Sequence, residues 1–167
     1  MAEISNSNLY KIDAGIPSGD ACVVIVRTEW NAAFVDRREE GCVRVLDQYK
    51  AMHETVTVPG AIEIPFAIKN YWDNQKYRDG KPEAFIALGC VVRGGTPHFD
   101  YVCKAITEGV LQFNMILPVP VIFGVLTVDN AQQAEERLGG QHGHKGEEAG
   151  ITALKMIGLK RTFSRNK

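Results

Sequence analysis

The sequence predicts an α/β protein, namely a single-domain three-layer α/β/α sandwich around a central four-stranded parallel sheet. The length of 167 residues suits one domain with its own core. Three largely apolar runs and one short strand, 54–58, alternate with stretches in which apolar residues recur at helical spacing. Continuous apolar strands joined by helices are typical of a parallel sheet that is covered on both faces, with right-handed crossovers.

Residues 1–20 form an N-terminal arm in this prediction, and residues 21–167 form the domain. The first strand is rich in β-branched side chains, as buried strands are. Asn31 is the predicted N-cap of the first helix, and Pro59-Gly60 ends the second strand. The predicted strands are 21–27, 54–58, 84–90 and 119–126, and the predicted helices are 32–50, 63–74, 99–114, 131–138 and 147–157, with a glycine-rich break over 139–146.

Composition and charge argue against several classes of partner. Nineteen basic residues stand against twenty acidic ones, so no positive excess is present to hold a nucleic-acid backbone. The longest apolar runs fall far short of the ~20 residues that span a bilayer, and residues 1–17 do not resemble a secretory leader. The four cysteines occur singly in apolar segments, which indicates buried thiols in a reducing compartment. We therefore expect a cytoplasmic protein without nucleic-acid or membrane partners.

Ligands of parallel α/β sheets bind beyond the carboxyl ends of the strands. In this chain the residues that could carry chemistry follow the strands directly, which predicts one cleft at that edge of the sheet. The segments concerned are 30–31, 58–63, 93–98 and 127–130.

The glycine-rich segment 93–98 combines an anion-binding pattern with a histidine. Gly94 and Gly95 allow close approach to the backbone, and Thr96 adds a hydroxyl at the start of a helix. Unpaired N–H groups at a helix N-terminus favour an anion such as phosphate. Histidine titrates near neutral pH, so His98 is the candidate for proton transfer. The alternative is that His98 only caps or packs against its helix.

Further side chains have both a functional and a structural interpretation. Trp30 stacks on a flat heterocycle or plugs the top of the core. Glu63 binds ligand hydroxyls or caps the helix that it begins, because an acid in an apolar stretch requires a partner. Arg137 clamps phosphate or pairs with an adjacent glutamate on the surface. His142 and His144 lack an acidic or thiol ligand at a useful local spacing, so we assign no metal site.

Four segments taken together resemble the 6,7-dimethyl-8-ribityllumazine synthase family, which acts in the penultimate step of riboflavin biosynthesis. The resemblance extends from Ala21 to Leu159, and the pattern RGxTPHFDYV is highly diagnostic. The fold that it implies is flavodoxin-like. The matching segments are VPGAIEIP (58–65), LGCVVRGGTPHFDYV (88–102), PVIFGVLTVDN (120–130) and RLGGQHGHKGEEAG (137–150).

The resemblance implies a cofactor-independent transferase that joins 5-amino-6-(D-ribitylamino)uracil to 3,4-dihydroxy-2-butanone 4-phosphate and releases phosphate and water. The amine attacks the ketone to form an imine, phosphate is eliminated, and the ring closes. His98 matches the family's proton-transfer histidine. Arg137 matches the arginine that holds the phosphate, and Gly95 and Thr96 assist it.

The remaining matches are positions that bind substrate in the family. Trp30 matches an aromatic residue that stacks on the pyrimidine, and the larger ring replaces a common phenylalanine. Ile62 replaces another frequent phenylalanine, which changes local packing but leaves the backbone contacts. Phe123 matches an aromatic residue from the neighbouring subunit, and Lys145 a lysine near the pyrimidine. The ribityl segment is Ala61, Ile62 and Glu63, and the strand end along the pyrimidine is Cys90, Val91 and Val92.

The resemblance also implies partners. Family members assemble as homopentamers, some build an icosahedral capsid of sixty copies, and association with riboflavin synthase is expected; the sequence leaves pentamer and capsid open. Three other functions are alternatives: a flavin- or lumazine-binding protein without catalysis, a flavodoxin-like electron carrier, and a structural shell protein. The presence of His98, Arg137 and Lys145 together argues against simple storage. The carrier would show a hydroxyl-rich loop directly after the first strand, where this chain has Arg27-Thr-Glu-Trp30.

Overall fold

The protein is represented by a computed structural model that describes residues 8–10, 16, 19–77 and 79–165. Strands and helices alternate along the chain as predicted, and a short hairpin precedes the last helix. The strands are β1 (Cys22–Thr28), β2 (Met52–Val58), β3 (Ala84–Val92), β4 (Val121–Val128), β5 (Leu138–Gly140) and β6 (Gly143–His144), and the helices are α1 (Ala32–Gln48), α2 (Ile64–Gln75), α3 (His98–Ile116), α4 (Ala131–Glu135) and α5 (Lys145–Arg165), with a 3₁₀ turn at Ala61–Glu63.

The central sheet has four parallel strands in the order β2-β1-β3-β4. Successive residues of β1 point to opposite faces, as the pleat requires. Ile25 packs with Leu46 of α1 and Leu154 of α5 on one face. Val24 packs with Ile64 of α2 and with side chains of α3 on the other face. The predicted three-layer α/β/α architecture is therefore confirmed.

The segment before α5 differs from the prediction. The predicted helix over 131–138 ends at Glu135, and residues 138–140 pair antiparallel with 143–144. Gly139 and Gly143 have φ values of 103° and 73°, which side chains rarely tolerate. The glycines therefore favour a hairpin over a continued helix, and α5 begins directly after it.

Other boundaries shift by a few residues. β2 begins at Met52 and β3 continues to Val92, whereas β4 begins at Val121. α5 runs to Arg165, beyond the predicted end at 157. Most of the predicted arm lies outside the described residues, although Leu9 and Ile16 pack against the core. No helix in the described part of the chain is long and apolar enough to cross a bilayer.

The cysteine prediction holds for two of the four thiols. Cys42 and Cys90 are buried, whereas Cys22 and Cys103 are half-buried, and all four are free. Burial raises the pKa of Cys42 to about 12 and that of Cys90 to about 11. Both buried thiols therefore stay protonated at neutral pH.

Candidate active site

A cavity of about 520 Å³ opens at the carboxyl ends of β1, β2 and β3. It brings together eight of the predicted site residues. The predicted cleft is confirmed for the first three strands, but the segment after β4 does not line it. The lining residues are Thr28, Trp30, Asn31, Gly60, Ala61, Ile62, Glu63, Cys90, Val91, Val92, His98 and Val102.

Trp30 lies on the rim of this cavity with 72% of its surface exposed, so it is not a plug of the core. Its backbone N–H donates to the carbonyl of Pro59 at 3.2 Å. This bond ties the segment after β1 to the segment after β2. The indole is therefore presented to the cavity from an anchored backbone, with a large apolar face available for stacking.

Asn31 occupies the N-cap position of α1, as the sequence predicts, and its backbone carbonyl accepts from the N–H of Val35 at 3.2 Å. Its side chain makes no capping bond to α1, and its backbone is left-handed, with φ 60° and ψ 39°. The Asn31 side-chain amide instead donates to the carbonyl of Cys90 at 2.8 Å. Asparagine tolerates the left-handed conformation better than most residues do. Asn31 thus turns the chain after Trp30 and is hydrogen-bonded to β3 near its carboxyl end.

Glu63 ends the 3₁₀ turn that leads into α2, and its side chain makes no capping bond to that helix. The carboxylate is exposed and bends back toward the backbone at Gly60, where a Cβ would lie 3.0 Å from Oε2. Glycine at position 60 thus allows the acid to lie against the cavity wall. The carboxylate is available to accept hydrogen bonds from hydroxyl groups.

His98 is the first residue of α3, lines the cavity and is exposed. Gly95 and Thr96 precede it and are also exposed, but they lie beside the cavity rather than in its wall. The first N–H groups of a helix of this length have no partner within the helix. The 95–98 segment therefore places the His98 imidazole next to backbone N–H groups that could bind an anion.

Arg93 fixes the glycine-rich loop. Its side chain pairs with Asp129 after β4 at 2.9 Å and with Asp100 of α3 at 3.1 Å. The guanidinium also lies 4.1 Å from the centre of the Phe99 ring. These contacts join the loop after β3 to the loop after β4, which sequence reasoning did not anticipate.

Phe123 and Lys145 lie apart from this site, in a second cavity of about 820 Å³ along the outer edge of β4 and the start of α5. Lys145 is only 8% exposed. Its ammonium contacts both carboxylate oxygens of Glu148, at 2.7 and 2.9 Å. Arg38 of α1 lines the same cavity. Neither Arg38 nor Glu148 was identified from the sequence, although Arg38 has a signal there, since it is a charged residue on the apolar face of α1, three residues after Val35.

Arg137 lines neither cavity. Its guanidinium donates to the carbonyl of Gln133 at 2.6 Å and lies 4.0 Å from the carboxylate of Glu136. Arg137 thus pairs with Glu136, as one of the two interpretations of the sequence expected. Its Nε–H is buried and remains without an acceptor among the described residues.

The two histidines of the hairpin point to different neighbours. His142 lies 3.8 Å from the carboxylate of Glu136. His144 packs its ring against Gly41 of α1, where a Cβ would lie 2.1 Å from the ring. Within the described ranges, no group of three or more His, Cys, Asp or Glu side chains is arranged to hold a metal ion.

Fold and cleft together define the class of protein, a parallel α/β domain with a cavity beyond the carboxyl ends of its strands. The chain belongs to the 6,7-dimethyl-8-ribityllumazine synthase family, whose model matches residues 20–161. A protein of that name from Porphyromonas gingivalis is 45% identical over 150 residues, which are 87% of this chain and 90% of that protein. The protein of that name from Parabacteroides distasonis is 38% identical over 155 residues, which are 91% of this chain and 94% of that protein. The one from Cytophaga hutchinsonii is 41% identical over 157 residues, which are 92% of this chain and 96% of that protein.

Proposed function

We propose that this protein is a 6,7-dimethyl-8-ribityllumazine synthase of riboflavin biosynthesis. Its substrates would be 5-amino-6-(D-ribitylamino)uracil and 3,4-dihydroxy-2-butanone 4-phosphate, and it would act as a transferase without a cofactor. The observation that carries the proposal is the first cavity. It brings the exposed Trp30, the Glu63 carboxylate and His98 together at the carboxyl ends of the strands, in a chain that belongs to this family.

The first cavity suits the pyrimidine substrate. Trp30 supplies a flat apolar face for the ring, and the strand end at 90–92 supplies backbone groups along the ring edge. Glu63 and the backbone of Ala61 and Ile62 suit the hydroxyls of the ribityl chain. A cavity of about 520 Å³ lies within the usual range for small-molecule sites.

The reaction requires positioned substrates and proton transfers rather than a redox group. The pyrimidine's 5-amino group attacks the ketone carbon, and loss of water gives the imine. Elimination then releases inorganic phosphate, and attack by the ribityl-substituted nitrogen closes the ring with loss of a second water. His98 faces the cavity at the helix entrance, from which it could accept and return the protons of these steps.

The phosphate would lie at the start of α3. Backbone N–H groups near Gly95 and Thr96 and the positive end of the helix dipole favour a phosphate there. Arg137 would add a planar cation that binds two phosphate oxygens at once. Because Arg137 lies outside the first cavity of its own chain, we assign this role to the Arg137 of a neighbouring copy.

Assembly into a homopentamer would bring the two halves of the site together. β4 is an end strand whose segment 121–126 is apolar, whereas the other end strand, β2, carries Glu54 and Thr55 in polar side-chain hydrogen bonds. No strand in the described part of the chain pairs with the outer edge of β4, and an unpaired edge favours pairing with another chain. Exposed apolar side chains on α3, such as Leu111 and Met115, also suit an interface. An icosahedral capsid of sixty copies and association with riboflavin synthase would extend the same assembly.

The test is turnover of the full chain with both substrates, followed by the absorbance of the lumazine product and by release of inorganic phosphate. We expect both signals at equal rates and without added metal or cofactor. Tight binding of lumazine or riboflavin without any turnover would instead favour the binding-protein alternative.

A further inference from the structure

Arg38 of α1 is a charged side chain in the core. It is 1% exposed, yet it lines the second cavity. Its Nη1 donates to the carbonyl of Gly89 at 2.6 Å. Its Nε is buried and without an acceptor. In the described part of the chain, no carboxylate forms an ion pair with it.

The other charges of this cavity offset Arg38 only in part: burial lowers the pKa of Arg38, and Glu148 acts to raise it but forms no ion pair with it. Lys145 is the second cation in the lining, and Glu148 is the carboxylate. Both oxygens of Glu148 are engaged by the Lys145 ammonium. The lining therefore carries one positive charge in excess, and that charge is on the side chain with the unused donors.

Burial lowers the pKa of Arg38 to about 10, which still leaves the guanidinium charged at neutral pH. A buried charge is stable only when it is paired and hydrogen-bonded. A guanidinium has five N–H donors in a planar fork that matches two oxygens of one anion. The cavity next to Arg38 is large enough for a small anion and the water around it.

We propose that the second cavity contains an anion site in which Arg38 binds a small oxyanion, a carboxylate or a phosphate. The site is separate from the phosphate position assigned to Arg137, because Arg137 does not line this cavity. Phe123 and Lys145 of this cavity match substrate positions of the family, whereas Arg38 matches none of them, so the site goes beyond the proposed function. Glu148 keeps Lys145 neutralised, so the anion balances the charge of Arg38.

Binding of inorganic phosphate and of acetate, measured separately by calorimetry in a low-chloride buffer, tests this site. The full chain with Arg137→Ala serves as the background, which removes the proposed Arg137 contact to phosphate; any binding at the start of α3 is common to all the variants that are compared. Arg38→Gln is the test variant. Arg37→Gln is the matched control, because Arg37 is an exposed arginine on the same helix that pairs with Glu135.

We expect at least one of the two anions to bind saturably to the background protein and to the Arg37→Gln control. Arg38→Gln should weaken that binding by at least about 10-fold, as expected for loss of a charged hydrogen-bond partner. Arg38→Lys should recover part of it, because lysine keeps the charge but not the fork. Equal anion affinity in Arg38→Gln and Arg37→Gln would overturn the proposal.

A second measurement keeps Arg38 in place, so it does not depend on whether a variant at position 38 folds. The Nε–H signals of the arginines are recorded by NMR during the same titrations, and the Arg38 signal should be the most shifted because its Nε has no protein acceptor. A phosphate-only shift assigns a phosphate site, and an acetate-only shift assigns a carboxylate site. Absence of any shift of the Arg38 signal with either anion contradicts the proposal.

Discussion

Replacement of Asn31 separates two contributions to the stability of the cleft. Asn31→Gly removes the side-chain hydrogen bond to the Cys90 carbonyl but accepts a φ of 60° freely. We expect a loss of about 1 kcal/mol, the usual net value of one hydrogen bond. Asn31→Ala loses the same bond and also forces a Cβ into the left-handed region, which adds ~1 kcal/mol. The alanine variant should therefore lose ~2 kcal/mol in all.

Urea unfolding at one fixed protein concentration measures these losses, because the proposed assembly would make the apparent stability concentration-dependent. The functional readout is quenching of Trp30 fluorescence by the pyrimidine substrate in a Trp72→Phe background, since the chain has two tryptophans. Both variants should bind the pyrimidine about 5-fold more weakly, because the Trp30 platform loses its anchor to β3. Equal stability of the glycine and alanine variants, together with unchanged quenching, would refute this account of Asn31.

Three further changes test the catalytic and packing assignments. His98→Ala should lower kcat by up to ~10²–10⁴ with pyrimidine affinity nearly unchanged; full turnover would exclude His98 as the proton carrier. Arg137→Ala should abolish competition by inorganic phosphate, and Arg137→Lys should restore only part of it; undiminished competition in the alanine variant would leave the α3 entrance as the phosphate site. Gly146→Ala should destabilise the protein by about 1–3 kcal/mol, because the new Cβ would lie 1.9 Å from the Arg38 carbonyl. In the control Gly94→Ala the new Cβ meets nothing within 4 Å. Equal melting temperatures of the two variants would contradict this contact between α1 and α5.

The sheet and its cleft were predictable because they depend on patterns that are local in sequence. A continuous apolar run such as 84–90 can bury the side chains of both its faces only in a sheet that is covered on both sides, as parallel sheets are. The rule that ligands bind at the carboxyl ends then brings Trp30, Glu63 and His98 to one edge before any contact is known. The structure places all three in the first cavity.

The parts that sequence reasoning missed depend on contacts between distant residues. Asn31 has the sequence signature of a helix cap, but the carbonyl of Cys90 lies within reach only after folding and takes its amide. Arg38 lies on the apolar face of α1, three residues after Val35 and four before Cys42, but its hydrogen-bond partner, the carbonyl of Gly89, comes within reach only after folding. The residues of the second cavity belong to a face whose partner is another copy in our proposal, and one chain cannot reveal how that face is completed.

Mixed oligomers test the proposed division of the active site between two copies most directly. Subunits with His98→Ala and subunits with Arg137→Ala are co-refolded in equal amounts, and mass spectrometry verifies that both are present in one assembly. In a closed ring with random placement, about a quarter of the sites combine an intact His98 with an intact Arg137 from the neighbour. We therefore predict turnover near a quarter of the wild-type value, well above that of either parent variant. Verified mixed assemblies with no more activity than their parents would contradict the shared site.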